Sequence, residues 1–281
     1  MPTDSAPAVA PPPFHADPAV HRALEARLRQ TVKGEVQFDP ASRALYATDS
    51  SNYRQVPIGI VCPRDADDAV AAVAACREFG APVLSRGAGT SLAGQGCNVA
   101  VVLDFSRHCH RILDVDPGRR QARVQPGVVL DRLRDEAERV AFTFGPDPAT
   151  HRWCTLGGMI GNNSCGVHSV MSGKTDDNID ELDILTYDGV RMRVGATPPE
   201  ALESRIREGG RVGEIAPAEG DPAVHLPGGA VHGLPLVSAA VAGDLLERRV
   251  VGVIADIAPP FQERLEGVGV VGVGQAHANL L

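Results

Sequence analysis

The feature that most constrains how this chain can fold is a glycine-rich loop between two short apolar runs. Residues 86–95, here called the glycine loop, read Arg-Gly-Ala-Gly-Thr-Ser-Leu-Ala-Gly-Gln, and the apolar runs lie at 81–85 and 99–103. Its three glycines allow positive φ angles or a close approach of the backbone to a ligand. Consecutive backbone N–H groups form an anion nest, and a nest with an arginine suits a pyrophosphate. A lone Gly-x-Gly is more often a plain turn in a βαβ unit, so the rest of the chain must decide.

Length and composition indicate a globular protein. The chain has 281 residues, of which 43% are hydrophobic and 22% charged, and this suffices for one large domain or two modest ones. Its formal net charge of −8 disfavours a general nucleic-acid binder, because a phosphate backbone attracts basic surfaces. No apolar run approaches the roughly 20 residues of a membrane span, so we predict no integral membrane association.

The cysteines and the N-terminus favour a cytoplasmic protein. None of the six cysteines forms a C-x-x-C pair, so we expect reduced thiols and predict neither a zinc ribbon nor a redox dithiol. His108 and His110 flank Cys109, but no further ligand spacing follows and we predict no metal site. Residues 1–17 are rich in Ala and Pro and predict a disordered leader rather than a signal peptide.

The apolar periodicity predicts a mixture of helices and strands. Residues 58–85 fit one βαβ unit, in which Asp65 caps the helix and Gly80 ends it. The glycine loop then lies at the carboxyl end of the second strand, where α/β sheets commonly bind ligands. The patterns predict further helices at 18–30, 129–140 and 198–208, a strand at 99–103, and hairpins that pair 111–116 with 121–125 and 179–187 with 190–194.

The composition changes beyond residue 215. Residues 216–281 are rich in Ala, Gly, Val and Pro, with repeated Val-Gly pairs, and show no sustained helix or strand periodicity. We therefore predict an atypical tail of low order. A truncated gene whose tail is read in another frame is the simplest interpretation, and a genuine small domain is the competing one.

A second glycine-rich segment covers residues 155–166, here called the second glycine stretch. It reads Thr-Leu-Gly-Gly-Met-Ile-Gly-Asn-Asn-Ser-Cys-Gly. Its small residues would let the backbone lie flat against a planar ligand, and Asn162, Asn163 and Ser164 could hydrogen-bond to that ligand. The segment could equally be a tight helix entry with a loose end.

Together, the two glycine segments and the elements between them resemble the flavin-binding domain of the vanillyl-alcohol oxidase / p-cresol methylhydroxylase superfamily. Within it, the chain looks most like the branch that contains the flavin-binding glycolate oxidase chain and D-lactate dehydrogenase, over roughly residues 40–195. The resemblance implies an α+β fold, a PCMH-type FAD-binding domain of two α/β subdomains with FAD between them. We place this domain at 18–215, with its core at 56–195, and expect it to be incomplete at its C-terminal end.

The resemblance also implies an FAD site, residue by residue. The loop around the pyrophosphate corresponds to Arg86, Gly87, Ala88, Gly89, Thr90 and Ser91, and its closure over the flavin side to Gln95. The segment near the isoalloxazine ring corresponds to Pro146 and Asp147. The segment along the ribityl chain and pyrophosphate corresponds to Thr155, Gly157, Gly158, Gly161, Asn162, Ser164 and Gly166. A later flavin-facing loop corresponds to Ser172, Gly173 and Lys174, and a strand position whose backbone faces the adenine corresponds to Ile179.

Thr90 bears on how the flavin is held. Relatives that tether FAD covalently through this loop carry a histidine at the equivalent position. A threonine cannot form that bond, so the resemblance implies non-covalent FAD.

By resemblance the protein is an FAD-linked oxidoreductase acting on CH–OH donors, of the D-2-hydroxy-acid dehydrogenase type. A hydride would pass from the Cα of a small D-lactate- or glycolate-like acid to flavin N5. The chain lacks the family's Gly-Ser-Glu-Gly-Thr motif, its substrate-binding cap domain and its iron–sulfur modules. No residue is a clear catalytic base; His151 and His168 are the local candidates, although histidines in such positions are more often structural.

Two alternatives to an active dehydrogenase follow from these departures. The chain could be an FAD-binding fragment without independent activity, which turns over a hydroxy acid only when another polypeptide supplies the cap. It could also be a phosphate- or nucleotide-binding domain unrelated to flavins. The co-occurrence of the two glycine segments disfavours this last alternative.

Overall fold

Two sheets, each covered by its own helices, form the part of the chain that the structure describes. In the computed structural model that part comprises residues 17–210, 270–271 and 276–279. The predicted architecture of two α/β subdomains is confirmed. The predicted leader apart from Asp17, and the predicted tail apart from 270–271 and 276–279, lie outside the described residues.

The first subdomain is built on a four-stranded sheet. Strands β2, β4 and β3 run parallel in that spatial order, and β1 joins the edge of β2 in antiparallel orientation. Side chains of β2 and β4 are buried on both faces, as is usual for parallel strands. The elements are α1 (Pro18–Thr31), β1 (Glu35–Gln37), α2 (Pro40–Leu45), β2 (Gly59–Cys62), α3 (Ala66–Glu78), β3 (Val83–Arg86) and β4 (Val101–Asp104).

The predicted βαβ unit forms the centre of this sheet. The Asp65 carboxylate accepts the backbone N–H of Asp68 at 2.9 Å and caps α3, as the sequence predicts. Strand β4 lies between β2 and β3, so the carboxyl ends of all three meet at one edge. The glycine loop starts at that edge, with Arg86 as the last residue of β3.

The second subdomain is an antiparallel sheet with short helices on it. Both predicted hairpins are confirmed: β5 pairs with β6, and β7 pairs with β8. The elements are β5 (Ile112–Asp116), β6 (Gln121–Val124), α4 (Leu130–Glu138), α5 (Leu156–Asn162), α6 (Ser169–Ser172), a 3-10 turn (Asp176–Asn178), β7 (Ile179–Thr186), β8 (Arg191–Gly195) and α7 (Pro199–Glu208).

Two short strands of the tail complete this sheet. Strand β10 (Ala276–Asn279) lies between the two hairpins and pairs with both β6 and β7. Strand β9 (Val270–Val271) pairs with the end of β7. The sequence predicts no strand periodicity here, because segments of two and four residues are too short to show an alternating pattern.

Contacts near the end of β7 join the two subdomains. Leu185 is fully buried in the core of the first subdomain, and the Tyr187 hydroxyl donates to the Ala81 carbonyl at 2.8 Å. A separate core, which includes Leu133, Phe144 and Met159, fills the second subdomain. Among the described residues there is no helix of the length and apolarity needed to cross a membrane.

Candidate functional site

The two glycine segments contact each other at the junction of the subdomains. A Cβ atom added to Gly87 would overlap the side chain of Thr155, whose hydroxyl caps α5 by accepting the N–H of Gly158 at 3.3 Å. The Asn162 side-chain amide donates to the Ser91 hydroxyl at 3.4 Å. The structure therefore brings together segments that are far apart in sequence, as the predicted site requires.

The glycine loop presents a row of free backbone donors. Within the described residues, the N–H groups of residues 88–92 donate to no protein acceptor. The Gly89 carbonyl accepts from the backbone N–H and the hydroxyl of Ser50, at 3.0 and 3.2 Å. A trans peptide points its C=O and the next N–H in opposite directions, so the Thr90 N–H faces away from Ser50. The loop thus has the unpaired donors that an anion nest needs.

The guanidinium of Arg86 is engaged with the backbone. Nη1 donates to the carbonyls of Gly96 and Tyr46 at 2.6 and 3.2 Å, and Nη2 donates to the carbonyl of Thr48 at 2.8 Å. The Cζ atom lies 5.2 Å from the centre of the Tyr46 ring. The sequence predicts a charge for the pyrophosphate here, whereas the structure directs this side chain to the polypeptide.

Residues 46–53 hold the glycine loop from outside, and sequence reasoning missed them. The Asp49 carboxylate accepts the N–H of Gly96 at 2.9 Å, and the Tyr53 ring packs on Gly94, whose φ is +84°. A local signal existed in Asp-Ser-Ser at 49–51, because Asp and Ser form side-chain-capped turns. Nothing in that signal identified the glycine loop as the partner.

Gln95 closes the glycine loop on itself. Its side-chain oxygen accepts the N–H of Ala93 at 3.1 Å. The neighbouring Leu92 is 78% exposed. The tip of the loop therefore combines an internal tie with an uncovered apolar side chain.

Asp147 and His168 form a tight pair beside the second glycine stretch. The carboxylate accepts the backbone N–H of His168 at 3.0 Å and lies 2.5 Å from its Nδ1. Burial acts to raise the pKa of Asp147, but the hydrogen bonds and charge of His168 outweigh it and lower that pKa. Gly166 fits against the Asp147 backbone, where a Cβ would overlap the carbonyl. Pro146 beside it is buried.

The later loop is ordered by Asn178, a residue that sequence reasoning did not select. Its amide donates to the carbonyls of Ser172 and Lys174, both at 2.8 Å. Gly173 adopts a φ of +74°, and the Lys174 side chain is partly exposed. Ile179 is buried at the start of β7, where it pairs with β10.

The second glycine stretch is tied to this later loop. The Thr175 hydroxyl donates to the Ser164 carbonyl at 2.7 Å, and the Asn163 side chain accepts the N–H of Asp176 at 3.1 Å. Asn163 itself takes a left-handed conformation with φ of 44°, which ends α5. All the predicted site segments are therefore linked through hydrogen bonds or direct packing.

Comparison with known families identifies the central part of the chain. Residues 57–195 match the family described as FAD binding domain. They form an FAD-binding domain of this family. The resemblance to the vanillyl-alcohol oxidase / p-cresol methylhydroxylase superfamily is confirmed, and FAD is the cofactor of the domain.

Curated relatives match the FAD-binding domain in sequence. The D-2-hydroxyglutarate dehydrogenase of Pseudomonas putida is 36% identical over 198 residues, which are 68% of this chain and 19% of the relative. The glycolate oxidase protein GlcD of Bacillus subtilis is 34% identical over 170 residues, 58% of this chain and 36% of the relative. The chain thus spans about a fifth of the length of the first relative and about a third of the second.

Solved structures match the same fold. The 6-hydroxy-D-nicotine oxidase of Arthrobacter nicotinovorans superposes with a TM-score of 0.57 at 18% identity, over 89% of this chain and 42% of that one. The xylooligosaccharide oxidase of Myceliophthora thermophila gives a TM-score of 0.56 at 22% identity, over 64% of this chain and 38% of that one. At such identities the likeness establishes the fold alone.

The junction of the FAD-binding domain fits a dinucleotide. The free N–H groups at 88–92 are donors for phosphate oxygens, and no basic side chain is needed to complete them. At Gly158 an added Cβ would meet only the Thr155 hydroxyl, at 3.3 Å, so the backbone there is bare. Bare backbone lets a flat or extended ligand approach closely.

The two candidate histidines of the FAD-binding domain differ in their surroundings. His151 Nδ1 lies 2.7 Å from an Asp131 carboxylate oxygen, which fastens the ring to α4. His168 is held through Nδ1 by Asp147, while its side chain is 68% exposed. The second nitrogen of His168, Nε2, is therefore the one that can exchange a proton with its surroundings.

The remaining candidate ligands of the FAD-binding domain are engaged elsewhere. His108 Nε2 lies 3.0 Å from Glu35, and His110 Nδ1 lies 3.0 Å from the Ser106 carbonyl. Within the described residues, no three His, Cys, Asp or Glu side chains cluster as a metal site would require. Burial raises the pKa of the thiols of Cys62 and Cys109 to about 11, so both are unreactive at neutral pH.

Proposed function

We propose that this chain binds FAD non-covalently and serves in the dehydrogenation of a small 2-hydroxy acid of the D-lactate, glycolate or D-2-hydroxyglutarate type. The observation that carries the proposal is the contact between the glycine loop and the second glycine stretch, in a domain 36% identical to a D-2-hydroxyglutarate dehydrogenase. When bound, FAD supplies the acceptor for the hydride that leaves the substrate Cα, at flavin N5.

Each segment of the junction has a part in binding FAD. The N–H groups at 88–92 and the hydroxyls of Thr90 and Ser91 would hold the pyrophosphate. The bare backbone of the second glycine stretch would lie along the ribityl chain. The ring would lie near Asp147, and the loop at 172–174 and the backbone at Ile179 would complete the site. With Thr90 in place of a tethering histidine, no covalent bond from this loop to the flavin can form.

We further propose a cytoplasmic location. All six cysteines lie in the described part of the chain and none forms a disulfide. Unpaired cysteines in this number fit a reducing compartment.

Flavin binding and reduction test this proposal in two steps. The purified protein is incubated with FAD, and flavin absorbance is followed through gel filtration and then through acid precipitation. We expect flavin to co-elute with the protein and to appear in the acid supernatant. A colourless protein would overturn the FAD site, and flavin retained in the precipitate would overturn non-covalent binding.

Anaerobic addition of D-lactate, glycolate or D-2-hydroxyglutarate tests the activity. Bleaching of the bound flavin by one of these acids supports the dehydrogenase. A yellow protein that none of them bleaches favours the second candidate, an FAD-binding fragment whose substrate domain is supplied by a separate polypeptide. That candidate is compatible with the small share of the relatives' length that this chain spans.

A further inference from the structure

We infer that Arg86 is a positioning residue for the glycine loop rather than a ligand of the FAD phosphates, and that it acts through residues 46–48 and Gly96. The inference rests on the FAD site proposed above. It assigns the binding of the pyrophosphate to backbone N–H groups, and the shape of the loop that presents them to a partly buried side-chain network.

The fork of the guanidinium spans both ends of the glycine loop. Arg86 is the last residue of β3, and the carbonyl of Gly96, directly after the loop, accepts from Nη1 at 2.6 Å. The same group reaches the carbonyls of Tyr46 and Thr48 at 3.2 and 2.8 Å. A guanidinium has five N–H donors in a rigid plane, and here three carbonyls from two separate segments accept from them. The loop is thereby closed and fastened to its neighbour.

The guanidinium also lies directly against the turn of the loop. A Cβ on Gly89 would stand 2.5 Å from Nη2 and 3.0 Å from Cζ of Arg86. Gly89 has a φ of +69°, and Ser50 holds its carbonyl. Because that carbonyl is fixed, the following N–H of Thr90 is directed the opposite way. Arg86 and Ser50 together therefore set the direction in which the free donors point.

Tyr46 connects this network to the sheet. Its ring lies under the guanidinium, with 5.2 Å between Cζ and the ring centre, and its hydroxyl donates to the Asp104 carboxylate at 2.6 Å. Asp104 ends β4, pairs in register with Arg86, and is 4% exposed. The other carboxylate oxygen accepts the N–H and the hydroxyl of Ser106 at 2.8 and 2.6 Å. A buried carboxylate with three donors gives the ring a fixed support.

A lysine cannot replace this arrangement. The ammonium of lysine is a single point charge, and it cannot meet three separate carbonyls and cover an aromatic ring at the same time. A direct phosphate ligand behaves differently, because a lysine at that position would keep the charge that the phosphate attracts. Arg86→Lys therefore distinguishes the two roles.

The experiment measures FAD affinity, its dependence on salt, and the exchange of the Gly96 amide in the wild type, Arg86→Lys and Arg86→Gln. Arg119→Gln, an exposed change in the β5–β6 turn, is the matched control. We expect both Arg86 variants to lose affinity by about tenfold or more, the control to bind as the wild type does, and all to show the same salt slope. In the ligand-free variants the Gly96 amide, which donates to Asp49 in the native loop, should exchange faster.

Tyr46→Phe provides a milder variant that keeps the ring and loses only the donor to Asp104. We expect it to weaken FAD binding in the same direction, by about threefold to tenfold. Wild-type affinity in Arg86→Lys, together with weak binding and a shallower salt slope in Arg86→Gln, would overturn the inference and make Arg86 a phosphate ligand. If the wild type itself fails to bind FAD, the proposed site falls and the inference falls with it.

Discussion

The Thr155 side chain fills the space that a Cβ atom on Gly87 would need. Gly87 opens the glycine loop after β3, and Thr155 caps α5 at the start of the second glycine stretch. The contact thus sets the distance between the two halves of the candidate FAD site. A glycine is required here because of this neighbour, since the φ of Gly87 is not positive.

Gly87→Ala is expected to push these two segments apart. Overpacking of a tight contact costs about 1–3 kcal/mol, and we expect this loss in the free energy of unfolding together with weaker FAD binding. Thr155→Ala removes the hydroxyl that the new Cβ would meet, so the double variant should recover about 1 kcal/mol relative to the sum of the single changes. Urea unfolding of the four proteins measures this coupling. Strict additivity would show that the two residues do not meet.

Gly89→Val is expected to abolish retention of FAD. The φ of +69° is unfavourable for a β-branched residue, and the added side chain would collide with the Arg86 guanidinium. Flavin absorbance that co-elutes with the protein in gel filtration measures the loss. Ala88→Ser, at the exposed neighbouring position, is the control and should retain FAD. Wild-type flavin stoichiometry in Gly89→Val would contradict the assignment of this loop.

Cys165 offers a chemical probe of the second glycine stretch. It is exposed, whereas the other five cysteines are buried, so a thiol reagent should label one site rapidly in the native protein. At an FAD concentration about ten times the Kd, we expect labelling to slow about tenfold. Cys165→Ser should remove the fast phase, and Gly89→Val should remove the protection. Unprotected labelling in protein that demonstrably holds FAD would place the flavin away from this stretch.

Much of the first subdomain could be predicted because its signals are local. The cap at Asp65 and the apolar spacing of α3 determine one helix, and in the second subdomain Asp-Gly at 188–189 determines one turn. Strand β10 could not be predicted, because its four residues carry no pattern. They become a strand only through the open edges of β6 and β7.

The same distinction applies to the site. Glycines mark the two segments that approach a cofactor, because the need for a missing side chain is visible in the sequence. The partners of Arg86 are backbone carbonyls up to 40 residues away, and a carbonyl has no sequence signature. The charge of Arg86 was therefore readable, whereas its direction required the fold.

The pair of Asp147 and His168 predicts an acid-dependent loss of stability. The folded-state pKa of Asp147 lies below the usual value of about 3.9, so the pair stabilises the fold fully above that pH and loses its effect as the pH falls through the lowered pKa. Unfolding of wild type and Asp147→Asn is compared across pH. We expect a constant gap above about pH 5 that closes in more acidic solution. Asp114→Asn, an exposed control, should leave no such gap, and a gap in Asp147→Asn that persists unchanged in acid would contradict the pair's role.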